Sequence, residues 1–434
     1  MTAVHQRDFH LFLSHSSVDK PTIVEKLYAW LTNAGLRVWY DADAIAGGSA
    51  FGSVLPDAIE QCRALLLILS KAALASNWVQ NEYQFAMVHQ AKYPDFKIIP
   101  VIVDDSQPPG FMANLNNLRM PNGAFDLEAG DRLLRALSNY SPSLEAKLKF
   151  GRVRDIYVSR TWRDSESPFA DAVSQSFADL DFRLIGDSRD QNVESKRRIT
   201  SIMESCGAFV AILPHRLEEP SKTSPYMIDE IRWAAEKKLP YVVLCESDEI
   251  LLSDDLKGGA VRVETISPAS APDALQTQAR TCAEKLRDEW LEPTHKQYSF
   301  FATDFEDGHK KRNQVVRGLI ERVTAMPCYM GDEIERAGSV SVQQRITNLI
   351  KQAQLIIADV SDDNLNTIYE AGIARGADVN TLLISGSQRG NPPFMFTDQQ
   401  VFFYTDDLDL LARVHKLIYP YRRRVLNYYL SGKK

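Results

Sequence analysis

The chain lacks what would carry it into or across a membrane. Its longest apolar runs are about six residues, far short of the ~20 needed to span a bilayer. The opening MTAVHQRDFHLFLSHSS has no basic region followed by an apolar core, so no signal peptide is expected. Cysteine is scarce. Five are present, an odd number, widely scattered as Cys62, Cys206, Cys245, Cys282 and Cys328. No two have metal-ligand spacing, which points to a reducing compartment and away from zinc. Positive charge is also short: the formal net charge of −7 argues against bulk affinity for nucleic acid or an anionic membrane, while leaving room for a local basic patch. The expectation is a cytoplasmic protein with no metal, no membrane partner and no strong nucleic-acid signal.

What is present suits a soluble globular protein, with 44% apolar and 25% charged residues. At roughly 100–200 residues per domain, 434 residues suggest about three domains. The chain runs three times through one grammar. The first pass opens with the strand HLFLSHSS, ending in small polar residues, and a helix with Ile23, Leu27, Trp30 and Leu31 at helical spacing. Gly35 ends that helix and LRVWYD reads as a strand. A loop with Gly47 and Gly48, a further helix, the buried strand ALLLILS, a helix holding Trp78 and Glu82, and the strand KIIPVIVDD complete the pass. The second runs from DIYVSR through FRLIG, AFVAILP, the helix YMIDEIRWAAE and PYVVLCE; the third from YSFFATDF through PCYMGD, LIIADV, the helix IYEAGIARG and TLLISG.

Strands alternating with helices of this length imply right-handed βαβ units and parallel sheets covered on both faces. In each pass an acid sits early in the helix after the third strand: Glu82, Glu230 and Glu370. Ligands of open α/β sheets bind outside the carboxyl ends of the strands, which is where these acids fall. The expected organisation is a first domain over residues 1–140, a second unit over 151–270 and a third over 295–434. Residues 138–150 read as one linker, and the segment beginning SPASAPDALQ as another, mostly a single helix.

Within SNWVQNEYQF, Trp78 and Glu82 are four apart and so share one helix face. An acid in the first turns of a helix commonly serves the macrodipole. Trp78 alone reads as core, His15 as a hydrogen-bonded turn residue and Asp41 as the start of a turn.

FLSHSSVDK, GLRVWYDADAIAGGSAF, ALLLILS and SNWVQNE, in that order, resemble a TIR domain over about residues 8–140. Such a domain is flavodoxin-like, and the two units after it would be Rossmann-like. TIR domains are either interaction scaffolds or NAD hydrolases that use a glutamate in the helix after the third strand. The resemblance to the enzymatic kind lies in Trp78 and Glu82, as W-x-x-x-E, with Ser76 as the small residue before them. Val79 stands where a cysteine often follows the tryptophan. The resemblance implies Glu82 as the catalytic residue, Ser14, His15, Ser16 and Trp78 as substrate contacts, and Asp41, Gly47 and Phe51 on a mobile wall, where a glycine pair eases movement. NAD is the implied substrate, with no tightly bound cofactor. Nicotinamide leaves as a neutral ring, so the reaction needs a field that stabilises an oxocarbenium-like ribose more than it needs a general acid. A carboxylate supplies that field, and an indole offers a flat face.

The stretch LIIADVSDDNLNTIYEAGIARG is similar to nucleotide-binding TIR-like and nucleoside deoxyribosyltransferase-like domains at Asp359, Asn366, Tyr369, Glu370, Gly372 and Ala374. Glu370 would bind ribose hydroxyls; the plain alternative is a tightly packed helix with an N-terminal acid. Glu230 lacks the neighbouring Gly and Ala, and catalysis there is not expected. Basic residues fall where an anionic ligand could sit: Arg160, Lys196, Arg197 and Arg198, then Lys310, Lys311 and Arg312. Solvated helix faces are the competing reading. YPYRRRVLNYYL reads as a basic, aromatic helix that docks or packs at the terminus.

The layout resembles bacterial anti-phage effectors of the CBASS type, in which a TIR domain is fused to a cyclic-oligonucleotide sensor such as SAVED. That resemblance implies an NAD hydrolase gated by ligand binding at Arg160, Lys196, Arg197, Thr303, Asn366 and Glu370, and by self-association into dimers or filaments. The products would be nicotinamide and ADP-ribose or a cyclic isomer. A non-enzymatic TIR scaffold and an N-glycosidase acting through Glu370 are the alternatives.

Overall fold

The computed structural model describes residues 9–40, 56, 58–93, 96–108, 112, 117–120, 124–137, 154–161, 163, 165–180, 182–186, 196–253, 256, 263–265, 272–289, 298–334, 341–361, 364–386 and 394–426. The first sheet holds β1 (Leu11–Ser14), β2 (Val38–Trp39), β3 (Ala64–Leu69), β4 (Lys97–Ile102) and β5 (Leu118–Arg119). The second holds β6 (Arg154–Arg160), β7 (Phe182–Gly186), β8 (Ala208–Leu213), β9 (Tyr241–Cys245) and β10 (Val263–Thr265). β11 (Ser299–Ala302), β12 (Cys328–Tyr329), β13 (Leu355–Asp359), β14 (Asn380–Gly386) and β15 (Val401–Tyr404) form the third.

The strand orders are β2-β1-β3-β4-β5, β7-β6-β8-β9-β10 and β12-β11-β13-β14-β15, all with parallel pairing. Counted within each unit, that is the order 2-1-3-4-5 three times. The class expected from sequence, a flavodoxin-like unit followed by two Rossmann-like units, is the one observed. Continuous apolar strands such as ALLLIL and AFVAIL are buried along their whole length because helices cover both faces of a parallel sheet. The register places Ser14 opposite Leu67, Ser159 opposite Ala211 and Ala302 opposite Ala358. These three residues therefore occupy one structural position, at the switch point between first and third strands.

Local chemistry fixes the helix that carries Glu82, Asn77–Lys92. Ser76 is its N-cap, accepting from the Val79 amide at 3.5 Å. Val79 is buried in the core, so the departure from cysteine costs no packing. The first helix, Glu25–Asn33, buries Leu27, Trp30 and Leu31, and Gly35 follows it at φ 82°, a left-handed position that suits glycine.

Three expectations are corrected. The helix expected in the second linking segment is observed as Pro272–Glu289, and the correction is to its place: Leu275, Ala279, Cys282 and Leu286 pack into the core of the second unit. Over its described residues, to Leu426, the segment beginning at Tyr419 is not an α-helix. Pro420 sits in a short 3-10 turn, and β16 (Arg424–Val425) then joins the second sheet, antiparallel to β7. Arg423 is drawn in by charge: it and Arg183 both pair with buried Asp155. So the last strand within 295–434 belongs to the sheet of the second unit. The proposed linker at 138–150 lies outside the described residues.

The first and third units share a core. The C-terminal helix, Asp407–Ile418, packs against the helices Glu25–Asn33 and Leu127–Leu137. Trp30 Nε1 donates to the Leu408 carbonyl at 3.0 Å, and His415 Nδ1 donates to the Ala34 carbonyl at 2.5 Å. Arg322, on the helix Lys310–Thr324, forms a buried ion pair with Asp131. Between the second and third units, Gln354 Nε2 donates to Ser201 Oγ at 2.7 Å.

Candidate active site in the first unit

Glu82 lies in the second turn of its helix and is 2% exposed. It is not a solvated end-of-helix acid. Its Oε2 accepts a short hydrogen bond from Ser14 Oγ, at the carboxyl end of β1. A hydroxyl donating to a carboxylate is among the stronger hydrogen bonds, so Ser14 holds Glu82 in place. Around this pair the chain builds one rim. Ser16 caps a 3-10 turn, accepting from the Val18 amide. Ser70 donates to Asp19 at 2.6 Å and caps the next short helix. His15 Nδ1 donates to the Leu13 carbonyl at 3.1 Å, and its ring stacks on Tyr40 with centroids 5.2 Å apart. Tyr40 also stacks on Tyr28 and has the Lys20 ammonium 5.1 Å over its face. The sequence reading did not single out Tyr40; its signal was an aromatic directly after β2.

Ser14 and Glu82 are thus brought together, and His15 and Ser16 stand beside them on the same connection. Trp78 lies on the helix of Glu82, one turn earlier, and its side chain falls outside the described residues. Asp41, Gly47 and Phe51 fall outside them as well.

The residues expected to hold an effector are divided between two units. Arg160, buried at the end of β6, pairs with Asp171 at 2.6 Å. Lys196 pairs with Glu236 at 2.9 Å and stands over the Trp233 ring. The side chain of Arg197 lies outside the described residues. These belong to the second unit; Thr303, Asn366 and Glu370 belong to the third. Thr303 is buried and faces Asn313. Asn366 is exposed in the first turn of the helix Leu365–Gly376, where Asn364 is the residue whose side chain caps. Glu370 is 5% exposed, and burial lifts its carboxyl to about 7. In the basic run 310–312, Lys310 pairs with Asp307 and Lys311 reaches Glu128, while Arg312 is buried against Asp304 at 3.0 Å and Asp359 at 3.7 Å. Arg312 therefore serves an internal ion-pair network. Asp304, Glu306 and His309 bring possible metal-ligand atoms within 4.8 Å of one another, but Asp304 is already held by His309 and the Arg312 guanidinium. Among the described residues, no helix is long and apolar enough to cross a membrane.

Residues 11–134 match the family model of the TIR domain. The chain is 28% identical over 102 residues to the probable 2' cyclic ADP-D-ribose synthase TcpO of Methanobrevibacter olleyae, covering 24% of this chain and 29% of that protein. It is 30% identical over 91 residues to the NAD(+) hydrolase TcpC of Escherichia coli, covering 21% and 29%. The chain thus spans less than a third of the length of these curated relatives. Among solved structures, the TIR domain of the Toll-related receptor TRR-2 from Hydra magnipapillata is 18% identical with a TM-score of 0.23, covering 26% of this chain and 83% of that one. The family match over residues 11–134 carries the assignment: the N-terminal unit of this chain is a TIR domain.

Proposed function

We propose that the first unit cleaves NAD, releasing nicotinamide, with Glu82 as the catalytic carboxylate. The observation that carries this is the buried Glu82–Ser14 pair at the switch point of a sheet whose curated relatives include proteins named as NAD(+) hydrolases and 2' cyclic ADP-D-ribose synthases. A carboxylate in a site shielded from water exerts a stronger field than one in solution. As the C1′–N bond breaks, positive charge grows on the ribose and the nicotinamide departs neutral. Glu82 stabilises that charge, and its bond from Ser14 fixes the carboxylate before the reaction begins. Trp78 and His15 provide flat faces for the nicotinamide or ribose. Water attack then gives ADP-ribose; attack by a hydroxyl of the same molecule gives a cyclic isomer.

The two C-terminal units gate this activity through the shared core. A nucleotide signal, such as a cyclic oligonucleotide, shifts the enzyme by binding the active assembly better than the resting one. The anti-phage role, the SAVED-like assignment and assembly into dimers or filaments belong to the same reading and rest on the architecture. The test is nicotinamide release by the purified full chain, with and without a panel of cyclic di- and trinucleotides. Glu82→Gln is expected to lower turnover by at least 100-fold, the scale of losing a preorganised electrostatic group. Turnover unchanged in Glu82→Gln would sink the proposal.

One observation favours a second reading, a TIR scaffold without chemistry. Glu230 in the second unit is paired in the same way, accepting from Ser159 Oγ at 2.5 Å and Tyr157 OH at 2.7 Å. A serine–glutamate pair can therefore serve packing alone. Under that reading no nicotinamide appears with any activator.

A further inference from the structure

A cavity of about 50 Å³ lies in the seam between the second and third units, lined by the polar residues Ser201, Glu204, Lys351, Gln354, Asp378 and Asn380. On that measure one water molecule needs about 10–15 Å³, so the space exceeds a single water. Gln354 is 6% exposed and engaged on one side of its amide. Its Nε2 donates to the Ser201 carbonyl at 2.5 Å and to Ser201 Oγ at 2.7 Å. The Ser201 carbonyl accepts and never donates, so the amide nitrogen must face it and the amide oxygen must face away. That Oε1 is buried and has no hydrogen-bond partner among the described residues. A buried acceptor left unpaired is costly, so it marks a place where something from outside completes its contacts.

Three helices end at the same space. Lys196–Glu204 closes with Glu204, Val342–Gln352 is followed by Ala353, and Leu365–Gly376 is followed by Ala377; these three end residues all line the cavity. A helix C-terminus carries roughly half a negative elementary charge. The side chains leave that field uncancelled. Glu204 is paired with Lys237 at 2.5 Å, and Lys351 balances Asp378 in formal charge. What remains is the field of the three helix ends, roughly −1.5 elementary charges, beside an amide oxygen that can only accept. Such a seat calls for one positive charge and not two, and the same field disfavours an anion.

We propose that this seam binds a small monovalent cation, with Gln354 Oε1 as its innermost ligand and Asp378 at its mouth. The cation is an inorganic ion of sodium or potassium size, or the ammonium head of an organic amine. Either supplies the single charge, and an ammonium also brings the N–H donors that the amide oxygen lacks. Ser201 and Glu204 come from the second unit and the other lining residues from the third, so the cation ties the two units together. Neither Glu82 nor Glu370 takes part, and the inference stands apart from the NAD chemistry proposed above.

The test is the melting temperature of the full chain at constant ionic strength. Tetramethylammonium chloride, whose charge lies behind methyl groups and which has no N–H donor, is exchanged stepwise for potassium, sodium or methylammonium chloride, with magnesium chloride as the divalent comparison. A saturable rise of about 2 °C or more is expected with at least one monovalent cation, because a ligand of the folded chain stabilises it by mass action. Potassium or sodium acting at lower concentration than methylammonium assigns an inorganic ion; the reverse order assigns an organic amine. Hydrogen exchange at 201–206, 351–354 and 376–380 should slow under the same exchange of salts, which a general salt effect does not reproduce. Asp378 is exposed at φ 54°, a backbone that asparagine accepts, so Asp378→Asn should fold normally and raise the half-saturating concentration at least threefold. Gln354→Met keeps the bulk and removes the acceptor; it should abolish the response, and its melting temperature in tetramethylammonium shows whether it has folded. A melting temperature indifferent to all three monovalent cations overturns the proposal. So does a response confined to magnesium, or one undiminished in both variants.

Discussion

A single hydroxyl separates the three glutamates, and its effect can be measured at Glu82. Ser14 donates to Glu82, so in the proposed reaction it acts through that carboxylate as a positioning residue. Removing the donor in Ser14→Ala deprives the carboxylate of that hydrogen bond. It also frees the side chain to turn. We expect turnover to fall by about tenfold, the scale of one charge-assisted hydrogen bond of 1.5–3 kcal/mol. The loss should fall on kcat more than on KM, since Ser14 acts through the carboxylate that meets the developing charge. A mere packing defect would instead lower the melting temperature along with turnover. The acids themselves were readable from sequence, because each follows an apolar strand at a fixed point of the repeat. What was not readable is which acid is satisfied. Ser14, Ser159 and Ala302 become comparable only once strand register aligns them.

Among elements, long strands and periodic helices announced themselves, and short edge pieces did not. β10, β15 and β16 run for three, four and two residues, too few for alternation to stand out. The partner of β16 is remote as well: Arg423 reaches Asp155 across 268 positions. The C-terminal helix Asp407–Ile418 shows the same limit, since its periodicity marks a helix without saying that a TIR domain covers it. Two histidines record that packing. The His10 Nδ1 accepts from the Arg37 amide at 2.7 Å, so its proton is on Nε2, which donates to Tyr419 OH at 2.5 Å. Burial, with Arg63, Arg37, Arg422 and His415 nearby, holds His10 down to about 3. Burial likewise holds His415 to about 4, with Arg422 and Arg322 lowering it further and its bond to the Ala34 carbonyl acting against them. Both rings are neutral when folded, whereas the unfolded chain takes up protons below about 6.5. Stability is therefore full above pH 6.5 and falls as the pH drops toward 3–4, by roughly 2 kcal/mol per ring at pH 5. Thermal melts of His415→Gln should show lower stability at pH 7 but a shallower loss between pH 7 and pH 5 than the parent chain. An identical slope would mean that the ring is not carrying the titration.

The whole molecule couples its first and third units through helices that meet without a gap. A methyl group on Gly130 would come within 2.9 Å of Leu408, 3.1 Å of Trp30 and 3.4 Å of Leu411. Glycine is thus required by close approach, with the first unit's helix Leu127–Leu137 on one side and the C-terminal helix on the other. Gly130→Leu forces a whole side chain into that seam. Overpacking of this kind costs about 1–3 kcal/mol. In a rigid body it would lower the melting temperature and nothing more. In an enzyme gated within one chain the seam carries the signal, since elements that both units share connect the third unit to Glu82. We expect Gly130→Leu to narrow the ratio of NAD cleavage with and without activator by tenfold or more, either by raising the basal rate or by lowering the activated one. A variant that melts earlier but keeps the full activation ratio would show that the shared core is scaffolding and that the signal travels by another route, such as assembly between copies. Measuring both quantities on one preparation separates the mechanical reading of the seam from the structural one.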